Sequence, residues 1–234
     1  MMLAVSGLDA WYGAAHILRD VDLAIGAGEA VALLGRNGAG KSTTLRALMG
    51  LVPRVTGTIT FAGRDLAGLE PHARARAGLG YVPEDRRIFS DLTVLENLEV
   101  GRRPPRPGHP AWTPERLFDL FPNLAEMRRR PGGRMSGGEQ QMLALARTLM
   151  GNPALLLLDE PSEGLAPRIL EQMAGAVRAL KAEGLAILLC EQNFRFAGLI
   201  CDTAYVMARG EIVHRGPFAE LAADEARRDA LLAV

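Results

Sequence analysis

The sequence is poor in cysteine, in unbalanced charge and in long apolar runs, and each shortage removes a class of protein. Only Cys190 and Cys201 occur among 234 residues. They lack metal-ligand spacing, and Cys190 ends an apolar run, so both are expected as reduced core thiols of a cytosolic protein. Lys plus Arg and Asp plus Glu each number 27, a net charge of zero. That balance gives no electrostatic footprint of a dedicated nucleic-acid binder, and no nucleic acid is expected as a partner. No run approaches the roughly 18–20 apolar residues of a membrane span. The N-terminus lacks a charged-then-apolar signal pattern. The expectation is a soluble protein that meets a membrane only through a partner. No internal repeat is present. His16, His72, His109 and His214 are scattered without evident carboxylate or metal partners, and are expected to be structural or surface residues. What remains is an ordinary globular mix, 48% hydrophobic and 23% charged, long enough for one large or two small domains.

Against that background the stretch Gly35-Arg36-Asn37-Gly38-Ala39-Gly40-Lys41-Ser42 stands out as a phosphate-loop pattern. An apolar run, Ala30 to Leu34, precedes it, and helix-forming residues from Thr43 to Met49 follow, which is the strand–loop–helix context the pattern requires. Glycines let backbone N–H groups close around an anion. The helix N-terminus adds partial positive charge. Lys41 is suited to the β- and γ-phosphates, and the Ser42 hydroxyl to Mg²⁺. The chain also holds an acidic complement. Leu155 to Leu158 reads as a strand buried on both faces, and it ends in Asp159-Glu160. Ligands sit beyond such strand ends in open α/β folds. Asp159 is suited to hold Mg²⁺ and Glu160 to polarise an attacking water as general base.

Residues 3–34 read as short strands turning at Gly13 and Gly26-Ala27-Gly28, and Thr58–Phe61 and Leu79–Val82 as further strands. Helical periodicity dominates 91–150, broken by the polar loop Arg102–Gly108, whose basic residues are expected to be solvated. Strand, helix and strand return at 155–158, 166–182 and 185–190, then a hairpin turns at Arg209-Gly210. The chain is thus expected to be a single domain, 1–234. Residues 1–83 and 151–216 would form an α/β nucleotide core, 84–150 a helical insertion, and 217–234 an amphipathic helical tail.

The insertion carries Met135-Ser136-Gly137-Gly138-Glu139-Gln140-Gln141 at the start of a long helix. Ser136 and Glu139 form a capping-box pattern. A capping role explains those two residues but not both glycines, which allow close approach to an anion. With this segment the chain resembles an ATP-binding cassette (ABC) nucleotide-binding subunit over essentially its whole length. Gly35 to Ser42 is similar to that family's Walker A, Ser136 to Gln140 to its signature motif, Leu155 to Glu160 to its Walker B, and Tyr12 to the aromatic residue that stacks on adenine. The resemblance implies a P-loop NTPase fold, with a RecA-like core, an antiparallel β subdomain and the family's helical insertion. It implies ATP and Mg²⁺ as ligands. It also implies a nucleotide site built from Tyr12, Gly35, Asn37, Gly38, Ala39, Gly40, Lys41, Ser42, Thr43 and Glu84, completed by Ser136, Gly137, Gly138 and Glu139 of a second cassette in a head-to-tail homo- or heterodimer.

Three departures narrow the resemblance. Glu84 stands where most cassettes have glutamine, Gln192 where most have histidine, and Ala166 where aspartate is usual. With Pro83 to Phe89, these resemble the second ATPase subunit of branched-chain amino acid importers, while Glu163 better resembles related urea and amide importers. Gln192 can donate a hydrogen bond to a γ-phosphate but cannot ionise. Glu84 is open to two roles, one toward Mg²⁺ or its water shell and one toward a membrane partner. The implied setting is the inner face of the cell membrane, bound to integral-membrane permease subunits and served indirectly by a periplasmic or extracellular solute-binding protein. Arg87 to Asp91 is the candidate contact with the permease. A soluble ABC ATPase of ribosomes or DNA is the alternative, but such proteins usually carry two cassettes or a long coiled coil, and this chain has neither. The signature helix argues against a P-loop small-molecule kinase.

Overall fold

The computed structural model describes residues 1–106 and 111–232, so Pro107, Gly108 and His109 of the sequence reading lie outside the described residues. The chain opens with a hairpin, β1 (Leu3–Tyr12) and β2 (Ala15–Ile25), then runs through β3 (Ala30–Leu34) into helix α1 (Lys41–Leu48). Next come β4 (Arg54–Phe61), β5 (Arg64–Asp65), α2 (Pro71–Ala77) and β6 (Leu79–Val82). A helical stretch holds α3 (Val94–Gly101), α4 (Pro114–Leu120), α5 (Pro122–Glu126) and α6 (Gly137–Leu149). The remainder alternates: β7 (Leu155–Asp159), α7 (Pro167–Ala182), β8 (Ala186–Glu191), α8 (Phe194–Gly198), β9 (Thr203–Ala208), β10 (Glu211–Pro217), α9 (Phe218–Ala223) and α10 (Glu225–Leu232).

Two sheets result. One is antiparallel, in the order β2-β1-β4-β5, and the other runs β10-β9-β3-β8-β7-β6. In the second sheet β9, β3, β8, β7 and β6 are mutually parallel, and only β10 is antiparallel. The leucine run of β7 explains the layering. Leu155 and Leu157 enter the core beneath the antiparallel sheet, while Leu156 and Leu158 enter the core formed with α6 and α7. All four are fully buried, and burial of each contributes about 1.5–3 kcal/mol. A strand covered on both faces must be apolar throughout, which is why the run does not alternate.

Several boundaries differ from the sequence reading. The strand expected at Thr58–Phe61 begins at Arg54, because β4 pairs with β1 on both sides of a register shift between Ser6 and Asp9. Gly57 lies in that irregular stretch at φ 95°, where a Cβ would meet the Gly7 carbonyl oxygen at 2.2 Å. A strand glycine that reads as punctuation is here a bulge. The tail forms two helices, broken at Asp224. Arg106 is not solvated as expected for its loop, since its half-buried guanidinium donates to the Asn152 carbonyl at 2.6 Å. His16 does have a carboxylate partner, Asp9 Oδ1 at 2.6 Å, brought across the β1–β2 hairpin beside the stacked Trp11 ring. Cys190 and Cys201 are buried, unpaired thiols, as expected.

The helix behind the phosphate loop is fixed from below by a residue that no motif marks. Buried Arg74 of α2 donates to the carbonyls of Ala47 and Leu48 at 2.9 Å each, and to those of Leu66 and Leu69. Helix C-termini leave carbonyls unpaired, and each one buried without a donor costs about 1–3 kcal/mol.

Candidate functional site

Parallel strand order gathers four loops at one edge of the main sheet. In space β3, β8, β7 and β6 are neighbours, so the segments after Leu34, Glu191, Asp159 and Val82 emerge side by side. Those segments hold the phosphate loop, Gln192, Glu160 and Glu84. Tyr12 approaches from the antiparallel sheet, ends β1, and is 37% exposed.

The phosphate loop is shaped by its glycines. Gly40 caps α1 at φ 114°, and a Cβ there would meet Leu18 Cδ2 at 2.8 Å and Met207 Sδ at 3.0 Å. Arg36, Asn37 and Gly38 form its exposed rim, and Ala39 is buried beneath them. Lys41 is 3% exposed and all three of its ammonium donors are engaged. It donates to Gly35 O at 2.7 Å and Arg36 O at 3.0 Å, and pairs with Glu160 Oε1 at 3.0 Å. Ser42 Oγ donates to Asp159 Oδ1 at 2.8 Å, and Tyr81 OH donates to Asp159 Oδ2 at 3.0 Å. Thr43 follows half-buried on α1.

Asp159 is fully buried, and burial raises its carboxyl above the ordinary range despite the two hydroxyl donors that favour the charged form. Glu160 sits at φ 44°, a left-handed conformation that costs a non-glycine residue about 1–2 kcal/mol. Its N–H donates to Cys190 O at 2.9 Å, and its carboxylate is held by Lys41, so the surroundings fix that conformation. Ser42 and Asp159 offer oxygen donors alone, a set that suits Mg²⁺.

Glu84 is drawn to the acidic side of this site. Its carboxyl is raised above the ordinary range by burial, then by the nearby acidic groups of Glu163, Glu160 and Asp159. The loop that follows contains two successive left-handed residues, Arg86 at φ 60° and Arg87 at φ 49°. Gln192 is exposed and lines one cleft with Glu160, Ser162, Glu163, Glu191 and Asn193.

The signature segment forms its own cap. Ser136 N donates to Glu139 Oε2 at 2.7 Å and Glu139 N to Ser136 Oγ at 3.4 Å. Gly138 has a packing reason too, because a Cβ there would meet Ile169 Cγ2 at 2.8 Å, whereas one on Gly137 would meet only the movable guanidinium end of Arg86. The helix it opens, α6, packs on α3, α5 and β6, whereas α1 packs on β2, β7 and β8. Ser136 to Glu139 thus belong to a different side-chain neighbourhood from the phosphate loop.

Sequence reasoning missed Tyr81, Arg46 and Glu191. Against its partial burial, the Arg46 guanidinium is favoured in its charged form by the nearby Tyr12 and Tyr81 phenols, and Tyr81 itself donates to Asp159. Glu191 is 2% exposed and accepts from two loop amides. A charged residue ending an apolar strand was the available signal for Glu191, and none existed for the other two.

Residues 18–163 match the family model described as ABC transporter. The chain is 42% identical to the high-affinity branched-chain amino acid transport ATP-binding protein BraG of Pseudomonas aeruginosa, across 99% of both chains. It is 36% identical to the probable branched-chain amino acid transport ATP-binding protein LivF of Archaeoglobus fulgidus, across 94% of both. Among solved structures, an ATP-binding subunit of an ABC transporter superposes with a TM-score of 0.82 at 28% identity, over 97% of this chain and 95% of that one. The fold is that of the P-loop ATPase cassettes, and the chain belongs to the ABC transporter family.

Proposed function

We propose that this transport ATPase is the nucleotide-binding subunit of an importer for branched-chain amino acids. The observation that carries the proposal is the meeting of Lys41, Glu160, Ser42 and Asp159 at one strand edge, in a chain 42% identical to BraG over 99% of its length. A ribosome- or DNA-directed ATPase is not favoured, since the near-full-length relatives BraG and LivF are transport proteins.

In this reading Tyr12 stacks on adenine, and residues Gly35 to Thr43 enclose the phosphates. Lys41 exchanges its ion pair with Glu160 for the γ-phosphate. The freed Glu160 carboxylate then takes a proton from the attacking water. Mg²⁺ bound by Ser42 and Asp159 would offset phosphate charge. Gln192 donates to the γ-phosphate from the cleft it shares with Glu160. Glu84 belongs with Glu163 on the acidic rim. Ser136, Gly137, Gly138 and Glu139 serve the ATP of a second subunit. Residues 1–83 and 151–216 act as core, 84–150 as signature subdomain, and 217–234 as tail. No described helix is long and apolar enough to cross a membrane. In this reading the chain meets the bilayer through permease subunits, with Arg87 to Asp91 as the contact on the cytoplasmic face.

The test is ATP hydrolysis by the chain assembled with its cognate permeases in proteoliposomes, with the cognate solute-binding protein added. Stimulation by leucine, isoleucine or valine is expected. Stimulation by urea or short amides alone would move the chain to that importer class, and no stimulation by any small solute would overturn the import reading.

Gln192 gives a second expected result. Gln192→His should introduce an ionisation near pH 6–7 into the rate profile at saturating ATP, absent from the parent. The difference between the two profiles is the quantity to read. Identical curves would place residue 192 outside the reacting site.

A further inference from the structure

Glu191 is a buried carboxylate that neither the phosphate loop nor the strand core requires. It ends β8, is 2% exposed, and lies in register with Leu34, the residue before the phosphate loop. The five β8 residues before it are all buried and uncharged, and a further apolar residue would extend them. None of the ion pairs found among the described residues involves it. Burying a carboxylate unpaired is unfavourable unless hydrogen bonds to its charged form compensate. Here both oxygens are used, and by two different loops. Oε1 accepts from Ser162 N at 3.0 Å, in the turn after Glu160. Oε2 accepts from Asn193 N at 3.1 Å, in the turn that carries Gln192 and opens α8. Each turn also has internal bonds, Glu163 N to Glu160 O at 3.1 Å and Phe196 N to Asn193 Oδ1 at 3.0 Å. Those bonds shape each turn by itself, whereas Glu191 joins one turn to the other.

We propose that Glu191 is a positioning residue whose carboxylate locks the Gln192 turn to the Pro161–Leu165 turn, holding Glu160 and Gln192 in one relation to the phosphate. The role rests on the nucleotide-site reading above. It differs from a purely structural role in what it should move. Burial raises the Glu191 carboxyl above the ordinary range, ahead of the opposing bonds from Ser162 and Asn193. A raised carboxyl means that folding disfavours its charged form. Its contribution to stability therefore falls as pH rises from the ordinary value through the raised one. A neutral amide escapes that loss.

Glu191→Gln retains one acceptor oxygen and turns an amide nitrogen toward the other N–H, so one tie is lost. Three quantities are read on the full chain: amide hydrogen exchange at 160–166 and 192–196 without nucleotide, equilibrium ATP binding, and kcat. Expected are faster exchange in at least one of the two turns, ATP binding within about twofold, and kcat lower by roughly tenfold to a hundredfold, the scale of a reacting group displaced by up to about 1 Å. The unpaired N–H costs stability and removal of the buried charge offsets part of it, so the thermal midpoint should fall by a few degrees at most. Glu191→Asp keeps the charge but is one methylene too short to reach both amides, and should give a smaller loss of the same kind. It also serves if the Gln variant does not fold. Unchanged exchange together with near-parental kcat in a folded variant would overturn the proposal. So would a loss of binding and rate in step with stability. If the parent chain itself neither binds nor hydrolyses ATP, the nucleotide reading fails, while the exchange measurement still decides whether Glu191 joins the turns.

Discussion

Glu160→Gln is expected to bind ATP and to hydrolyse it at least ~10²-fold more slowly, the scale of a lost general base. The substitution keeps the side chain's length and shape in a position 11% exposed. The N–H bond to Cys190 O at the left-handed backbone is untouched, and the amide oxygen can still accept from Lys41, so the turn should persist. What disappears is the charge. An amide cannot take the proton of an attacking water. It also competes less well for Lys41, whose ammonium now pairs with Glu160 at 3.0 Å, and phosphate should gain that donor more easily. ATP affinity should therefore be equal or higher while turnover collapses. The stalled species should be a nucleotide-bound dimer, seen as an earlier gel-filtration peak when ATP is added. Near-parental hydrolysis would remove Glu160 from the general-base role.

The parts of this site that were legible in the sequence are those whose chemistry is local along the chain. Gly35 to Ser42 lies within one turn of backbone, and its glycines, lysine and serine are read together. Ser136 and Glu139 are three apart, and the capping box they imply is present. Leu155 to Asp159 reads as a doubly covered strand because four successive leucines suit no half-exposed position. Contacts created by strand register were not legible. Tyr81 meets Asp159 because β6 and β7 are parallel neighbours aligned at Tyr81 and Leu157, a pairing with no trace in either segment alone. Asp9 and His16 meet through hairpin register, and Arg106 and Asn152 through a contact 46 residues apart. Glu191 was noticed only as the residue before Gln192. Its burial and its two amide partners follow from the order β3-β8-β7, which sets its strand between the phosphate loop and Glu160.

A pair of variants that are inactive alone should recover activity when mixed. Lys41→Ala removes the ammonium that donates to Gly35 O and Arg36 O and faces Glu160, so a site built on that chain loses its γ-phosphate contact. Ser136→Arg places bulk at the start of α6 and removes the cap that bonds Glu139 N. Loss of such a cap costs about 0.5–2 kcal/mol, less than the usual stability of a folded domain, so the variant should fold. Within one chain the two positions occupy different neighbourhoods, α1 packing on β2, β7 and β8 and α6 on α3, α5 and β6. The Gly137 and Gly138 N–H groups at the start of α6 have no intrahelical acceptor by helix geometry, and are available to an anion from another molecule. If that anion is the ATP held by a second subunit's phosphate loop, every site in either homodimer contains one defect. A heterodimer of the two variants concentrates both defects in one site and leaves the other intact. Hydrolysis should then return on mixing to about half the parental rate or less, with one of two sites functional and exchange incomplete. Co-purification of differently tagged chains would establish that heterodimers have formed. Heterodimers that neither bind ATP at an intact site nor hydrolyse it would refute the head-to-tail arrangement. If the chain pairs naturally with a different cassette, the same two substitutions are divided between the partners. Lys41→Ala here with the signature-serine change in the partner puts both defects in one site and spares the other. Lys41→Ala and Ser136→Arg together on this chain put one defect in each site. Only the first combination should retain activity.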